Sequence, residues 1–455
     1  MTGTETSAIR AAGACALLVA GLLVPRLGSA ASEATGVLAT PDQIALERSL
    51  LRVLASEAVV QEKRAFRERL LEDPLASDPD GRATLDRALD GITTAMVQCG
   101  VNSDSQRPKA MWNAGAAHAW HGFDVPAAGY GIENPDNVYR TIPMDGASSY
   151  EVTGRVRDPG PSQLSFTLYA ARPDIGANPP VPQEGSGLLG ALSGVETDSE
   201  GRFVVTVDPR PADGRRNHLQ SAQPTALLVV RDTLGDWKRQ RVSEIQVRRV
   251  AGPARDPEPD LDRLVERSIA CMREQIPLWL LHYNQKYILG LPPNRIQQPR
   301  IRSVGWGVSR SAPFEIAEDE ALVVTLDRIG ARYLGFQLVD PWGMALEYVS
   351  RTGSLNDAQA QPNADGTFTY VISPRDPGVH NWLDTSGLHK GILTIRWQGF
   401  AAPVESTEGA VRGVRLVKRA RLAEALPPET VRMTPAARAK QLEERLESYR
   451  RRLER

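Results

Sequence analysis

From Ser149 to Lys418 the chain is cut into short runs rich in β-branched residues, most of them ended by glycine, proline or aspartate. Runs this close together leave no room for crossover helices, so neighbouring segments should pair antiparallel. A first set comprises SYEVTGRV (149–156), LSFTLYA (164–170), RFVVTVD (202–208), ALLVVRD (226–232) and RVSEIQVRRV (241–250). A second comprises ALVVTLD (321–327), YLGFQLVD (333–340), ALEYVS (345–350), TFTYVIS (367–373), ILTIRWQ (392–398) and GVRLVK (413–418). The expected fold is mainly β with flanking helices, an antiparallel β-sandwich of jelly-roll character. The two sets have similar run lengths, yet no residue-level repeat stands out, and duplication is left open. The stretch from Pro173 to Gly194, rich in glycine, proline and serine, reads as a long loop.

Helical periodicity appears before, between and after the strand sets. Thr40 suits an N-cap, Pro41 the first helical position, and Gln43 a capping box, with a helix running on to Leu71. SDPDG (77–81) reads as a turn, and a second helix from Ala83 to Val97 completes a helical hairpin. Leu261, Leu264, Ile269, Met272 and Ile276 mark a connecting helix that Pro277 should distort. The aromatic stretch from Trp279 to Tyr287 reads as helix-to-sheet packing rather than as a ligand surface. Thr434 and Pro435 open a last helix with an apolar stripe at Leu442, Leu446, Tyr449 and Leu453, and a Glu447–Arg451 pair on the far side. It is expected to pack back on the body; the alternative is pairing with a second chain as a homo-oligomer. The resulting division is 1–31 leader or anchor, 40–100 helical hairpin, 101–250 first β region, 256–290 connecting helix, 300–420 second β region and 434–455 C-terminal helix.

The 455 residues, 41% hydrophobic and 24% charged, are enough for a sizeable core and more than one domain. The net charge of -1 sets up no field that would gather nucleic acid or an anionic membrane. Basic runs with interleaved aromatics do not occur before the last helix, so nucleic acid is not an expected partner. At the N-terminus, Arg10 precedes an apolar run from Ala11 to Val24, and small residues follow at Gly28, Ser29, Ala30 and Ala31. That is the pattern of a secretory signal, shorter than the roughly 20 apolar residues of a bilayer span. The expected location is periplasmic or secreted, with a membrane tether if the segment is retained. Cys99 and Cys271 then remain. They could pair in an oxidising compartment, but two separate buried thiols are the favoured expectation.

The segment from Gly366 to Gln398 concentrates the candidate chemistry. Two strand-like runs flank PRDPGVHNWLDTSGLHKG, which carries Asp376, His380, Asn381, Trp382, Asp384 and His389. Polar and aromatic side chains on a loop held between strands are how a rigid scaffold presents a site. GFQLVDPW (335–342), SLN (354–356), DGTFTYVIS (365–373), PGVHNWLDT (377–385) and the run from Gly391 to Trp397 resemble the bacterial family called domain of unknown function 1214. Upstream, NPDNVYRTIPMDGASSYEVTG (134–154) is similar to the segment preceding that module in longer members. The resemblance implies an antiparallel, jelly-roll-like sandwich, often behind a signal peptide, and no agreed reaction. His380 departs from the smaller or apolar residue expected there.

Each candidate has a structural and a chemical reading. His118 and His121 in HAWHGFD have a spacing that one helical face could bring together, with Asp124 or Glu133 adding an oxygen. Without a third histidine nearby, hydrogen-bonded pocket residues are the expectation and no metal is assigned. Asn134 to Asn137 have turn chemistry, Tyr139 and Arg140 should face opposite sides of the following strand, and a buried Arg140 needs a carboxylate such as Asp145 or Asp136. No nucleophile elbow or phosphate-binding glycine loop occurs, so no cofactor is expected. The preferred reading is an exported or envelope-associated protein binding a small apolar or carbohydrate ligand. Its candidate ligand-binding residues are Trp120, Asn137, Tyr139, Trp342, Asn381 and Trp382. The alternative is a cofactor-independent hydrolase of glycosidic or ester bonds. There His121 or His380 would be the base, Asp136 or Asp384 would orient it, and Arg140 would stabilise negative charge. Both readings require Tyr139 and Trp382 to share one rim.

Overall fold

The computed structural model describes residues 36–170, 188–222, 225–302 and 307–454. The leader at 1–31 and residues 173–187 of the expected loop lie outside them. The base is helical: α1 (Pro41–Leu54), α2 (Glu57–Leu71), α3 (Pro79–Val101) and α4 (Leu261–Ile276). Thr40 caps α1, its hydroxyl accepting from the Gln43 N–H at 3.1 Å. Gln43 closes no capping box; its side chain donates to Glu47 Oε1 at 2.8 Å and to the Trp112 carbonyl at 3.1 Å. The helix expected to reach Leu71 is broken around Ser56, whose hydroxyl turns back to the Val53 carbonyl at 2.7 Å. The next helix starts at Pro79 rather than Ala83, because Asp78 caps it by accepting from the Asp80 N–H at 3.0 Å. After α4 the helix widens into π-helical turns at Pro277–Tyr283 and Gln285–Leu289. Pro277 has no N–H to continue the regular ladder. A disulfide joins Cys99 on α3 to Cys271 on α4. It corrects the expectation of unpaired thiols: the close packing of the two helices brings both sulfurs to one point.

The strands of the first sandwich are β1 (Met111–Asn113), β4 (Asn137–Pro143), β5 (Ser149–Arg155), β6 (Gln163–Ala170), β7 (Leu188–Leu192), β8 (Arg202–Asp208), β9 (His218–Gln220), β10 (Thr225–Thr233) and β11 (Glu244–Ala251). A separate hairpin is made by β2 (His118–Trp120) and β3 (Phe123–Val125). The second sandwich has β12 (Arg300–Ile301), β13 (Val308–Glu315), β14 (Glu320–Leu326), β15 (Tyr333–Val339), β16 (Ser354–Asn356), β17 (Phe368–Ser373), β18 (Trp382–Asp384), β19 (Lys390–Gln398) and β20 (Val411–Lys418). Each sandwich closes over its own core: Ile142, Phe166, Phe203 and Val230 in the first, Phe314, Phe336, Tyr370 and Trp397 in the second. The run 345–350 is no strand. Glu347 accepts from the N–H groups of Val349 and Ser350 and curls the backbone, leaving a lone bridge from Ala345 to Val339.

The two sandwiches share one topology. The five-stranded sheets run β1-β4-β10-β6-β7 and β12-β13-β19-β15-β16; the four-stranded sheets run β11-β5-β8-β9 and β20-β14-β17-β18. Even the parallel pairs, β8–β9 and β17–β18, correspond. Register carries the match to residues. The row Arg140–Val230–Phe166 repeats as Arg310–Ile395–Phe336, and the row Tyr139–Arg231–Ser165 as Ser309–Arg396–Gly335. The fold is therefore a tandem pair of like sandwiches.

The outer faces of the two five-stranded sheets are turned toward each other around the segment 130–137. Gln398 donates to Gln163 Oε1 at 3.1 Å, and Gln337 to the Glu133 carbonyl at 2.8 Å. Tyr333 donates to Asp136 Oδ2 at 2.7 Å, and Asn356 to Asp136 Oδ1 at 2.9 Å. A short helix, α5 (Leu422–Ala425), and the last helix, α6 (Pro435–Glu454), close the other side. α6 packs back on the body, but its buried face is not the expected leucine stripe. It consists of Arg438, Arg445, Ser448, Tyr449 and Arg452, while Leu442 and Leu446 are half-buried and the Leu453 side chain lies outside the described part. The guanidinium groups find flat partners: Arg438 lies 5.1 Å over Trp382, and Arg445 and Arg452 lie 4.5 and 4.7 Å over Trp237. Arg445 also donates to the Tyr348 carbonyl at 2.6 Å and to Ser354 Oγ at 2.9 Å.

Candidate functional site

The residues expected to form one site are spread over the molecule. His121 is not on a helix. It occupies the two-residue turn of the β2–β3 hairpin with φ 49°, followed by Gly122 at φ 81°. His118 points inward instead and meets Glu47, Nε2 to Oε1 at 3.2 Å, while Trp120 donates to Glu47 Oε2 at 2.6 Å. That cluster is closed, with Glu47 fully buried. Arg140 spans the end of the first sandwich, donating to Asp232 at 2.7 Å and to the Ser243 carbonyl at 2.6 Å. Its carboxylate is thus Asp232, not Asp145 or Asp136. Asn137 accepts from the Asn134 amide at 3.4 Å inside the turn. Trp342 is buried among the base helices and donates to the Gly81 carbonyl at 2.8 Å.

The 376–385 loop is held by structure. Trp382 donates to the Ser373 carbonyl at 3.1 Å and lies beneath α5 and Arg438. Asn381 bridges to Gln361, accepting from its N–H at 2.7 Å and donating to its carbonyl at 2.8 Å. Asp384 pairs with Arg351 at 2.8 Å, and burial raises its pKa. His380 contacts Asn381 Oδ1 at 3.1 Å, and burial lowers its pKa. Among the described residues neither His121 nor His380 has a carboxylate within bonding distance, so the expected base-and-orienter pairs are not assembled. His380 and Asn381 do line a small recess with Gln361, Asn363, Thr369 and Glu429. Tyr139 and Trp382 belong to different sandwiches: Tyr139 faces the seam between them, Trp382 faces the C-terminal helices. The single rim that both readings required does not exist.

What the fold does assemble is a polar cluster in that seam. Tyr139 and Arg231 are neighbours on the outer face of the first five-stranded sheet, the guanidinium 5.7 Å from the ring centroid. Arg231 also donates to Thr167 Oγ1 at 2.8 Å and to the Tyr169 hydroxyl at 3.4 Å. Across the seam Arg396, its equivalent by register, donates to Gln337 Oε1 and to the Ile132 carbonyl. Tyr130 lies within electrostatic reach of Arg231, Tyr139, Tyr169 and Glu133, and Arg396 within reach of Tyr139 and Glu133. Tyr130, Tyr139, Tyr169 and Trp279 are half-buried, with Tyr130 and Trp279 ring centroids 5.7 Å apart.

Glu133 is the unusual member. It is 8% exposed, and Oε1 accepts from the Ala345 N–H at 3.2 Å. Oε2 is buried and meets no hydrogen-bond partner. Removal from water pushes its pKa up to about 8, and Tyr130 is likewise pushed up to about 12. At neutral pH Glu133 is therefore mostly a neutral acid, able both to donate and to accept. Ser165 Oγ and Gln398 Oε1, on the same facing surfaces, are also buried without partners. Sequence reasoning found Tyr139 but missed Arg231, Arg396 and Tyr130, and named Glu133 only as a metal ligand. The usable signal was arginine at an outward position of an otherwise apolar strand, in LVVR (228–231) and again in LTIR (393–396).

The fold is similar to that of an uncharacterised protein from Burkholderia cenocepacia. Its crystal structure superposes with a TM-score of 0.62 at 24% identity, covering 82% of this chain and 99% of that one. A protein from Vibrio parahaemolyticus gives a TM-score of 0.37 at 11% identity over 63% of this chain and 90% of that one. No protein-family model and no curated protein matches the chain.

Proposed function

We propose that this chain is an exported binding protein for a small hydroxylated, carbohydrate-like molecule held in the seam between its two sandwiches. The observation that carries the reading is the neutral, buried carboxyl of Glu133 with one oxygen left unpartnered. A buried polar atom without a partner costs about 1–3 kcal/mol, and a ligand hydroxyl would recover it. Tyr130, Tyr139 and Trp279 supply flat walls, while Gln337, Thr167 and the two arginines supply directional contacts, the mixture typical of small-molecule sites. The resemblance to domain of unknown function 1214 and the secretory pattern at the N-terminus belong to this reading, and the Cys99–Cys271 disulfide is consistent with an oxidising compartment.

The test is a mass-spectrometric search for small molecules released when the purified protein is denatured, comparing wild type with Glu133→Leu. A hydroxylated compound present in wild type and depleted in the variant supports the reading. Ordered water alone in a high-resolution electron-density map of the seam, with no compound released, overturns it.

A further inference from the structure

Resting on that reading of the seam, we infer that the ligand carries a carboxylate group and that Arg396 is its seat. Arg396 is placed for this by β19, in the row between Ser309 and Gly335. A side chain at Gly335 would collide with the Tyr333 hydroxyl, 1.9 Å from the position of its first carbon, so this row stays narrow beside the arginine. Both acceptors that the Arg396 guanidinium meets, the Gln337 amide oxygen and the Ile132 carbonyl, are neutral. The acid nearest in charge terms is Glu133, which burial keeps protonated. A guanidinium drawn out of water is met here either by a carboxylate, as Arg140 is by Asp232, or by neutral acceptors under an aromatic ring, as Arg445 and Arg452 are beside Trp237. Among the described residues Arg396 makes no ion pair, and Arg302 is a second cation within its electrostatic reach. The planar fork of arginine matches a carboxylate with two parallel hydrogen bonds. Glu133 follows the Ile132 whose carbonyl Arg396 binds, and as a neutral acid it has a proton to donate to a ligand hydroxyl. The chemical class that satisfies both groups is a small hydroxylated carboxylic acid, such as a sugar acid.

The experiment uses the full chain and two matched probes, galacturonate and galactose, with galactose 6-phosphate as a third. Thermal unfolding and titration calorimetry are read at neutral pH for wild type and Arg396→Lys, which keeps the charge but loses the fork. Galacturonate is expected to raise the melting temperature and to bind at least about ten-fold more tightly than galactose, with Arg396→Lys erasing most of the difference. Circular dichroism of the variant, unchanged from wild type, separates lost binding from lost folding. Equal binding of galactose and galacturonate, or preference for the phosphate, overturns the carboxylate seat and leaves the seam as a binding site. Failure of all three probes to bind or stabilise overturns the sugar-acid assignment, and the release experiment above then decides the seam on its own.

Discussion

Asn217 and Asn381 occupy the same place in two different sandwiches and make the same two bonds. Asn217 accepts from the Glu196 N–H at 2.9 Å and donates to its carbonyl at 2.8 Å; Asn381 does so with Gln361 at 2.7 and 2.8 Å. Both backbone carbonyls also accept across the parallel pair, from Thr206 and Val371. The motif that most resembled a binding loop is thus a staple used twice. Asn381→Ala is expected to lower stability by about 1–3 kcal/mol, and Asn217→Ala by less because its loop is more exposed. Urea denaturation of both variants is the check; an unchanged midpoint for Asn381→Ala would remove the staple.

Asp136 ties the sandwiches together rather than orienting a histidine. It accepts from Tyr333 at 2.7 Å, Trp237 at 2.7 Å and Asn356 at 2.9 Å, joining both halves and the contact surface of α6. Asp136→Ala leaves the Trp237 and Asn356 donors unpaired and Tyr333 with only Asn134 Oδ1 at 3.2 Å, and should cost about 3–5 kcal/mol, whereas Tyr333→Phe should cost about 1 kcal/mol. A calorimetric scan showing equal losses for the two would argue against a hub at Asp136.

Glu133 makes stability depend on pH in a defined direction. Its folded pKa is about 8, above the ordinary 4.5 of a glutamate, so the folded chain keeps a proton that the unfolded chain releases between those values. The contribution is fully present below the unfolded pKa and is lost as pH rises through about 8, with a slope of at most about 1.4 kcal/mol per pH unit. Glu133→Gln mimics the neutral acid and should flatten that slope. Melting temperatures of wild type and variant at about pH 6 and about pH 9 would show it as a difference that narrows in the acid range.

The Cys99–Cys271 disulfide spans 172 residues and clamps α3 to α4. Replacing both cysteines by serine should destabilise the chain by about 2–5 kcal/mol, with the loss read from guanidinium unfolding under non-reducing conditions. Thiol labelling of the native protein should find neither cysteine; labelling of both would contradict the bond.

Removing residues 434–455 should expose Trp237 and Trp382, over which Arg445, Arg452 and Arg438 now lie. Tryptophan emission is expected to shift to longer wavelength and the melting temperature to fall. Arg445→Met, which keeps the stem but not the fork, should reproduce part of the loss, because Tyr348 and Ser354 lose their donor.

The mainly β architecture and the helical flanks were legible because they rest on local signals. Period-two patterning marks RFVVTVD, and Thr40 and Asp260 sit where caps are wanted. The repeat was also written in the sequence, as LSFTL against LGFQL and LVVR against LTIR, but only strand register reveals which positions to compare. The site was not legible. Tyr139 was named, but its partners Arg231, Arg396 and Glu133 come from separate elements that meet only when two polar sheet faces close on each other. The same closure separated Tyr139 from Trp382 and replaced the leucine stripe of α6 by arginines stacked on tryptophan. Hydrogen bonding within a helix turn, and the alternation of faces along a strand, are settled by neighbours in sequence. The partner of an outward-facing polar side chain is settled by which surface arrives opposite it, and that depends on how whole sandwiches pack.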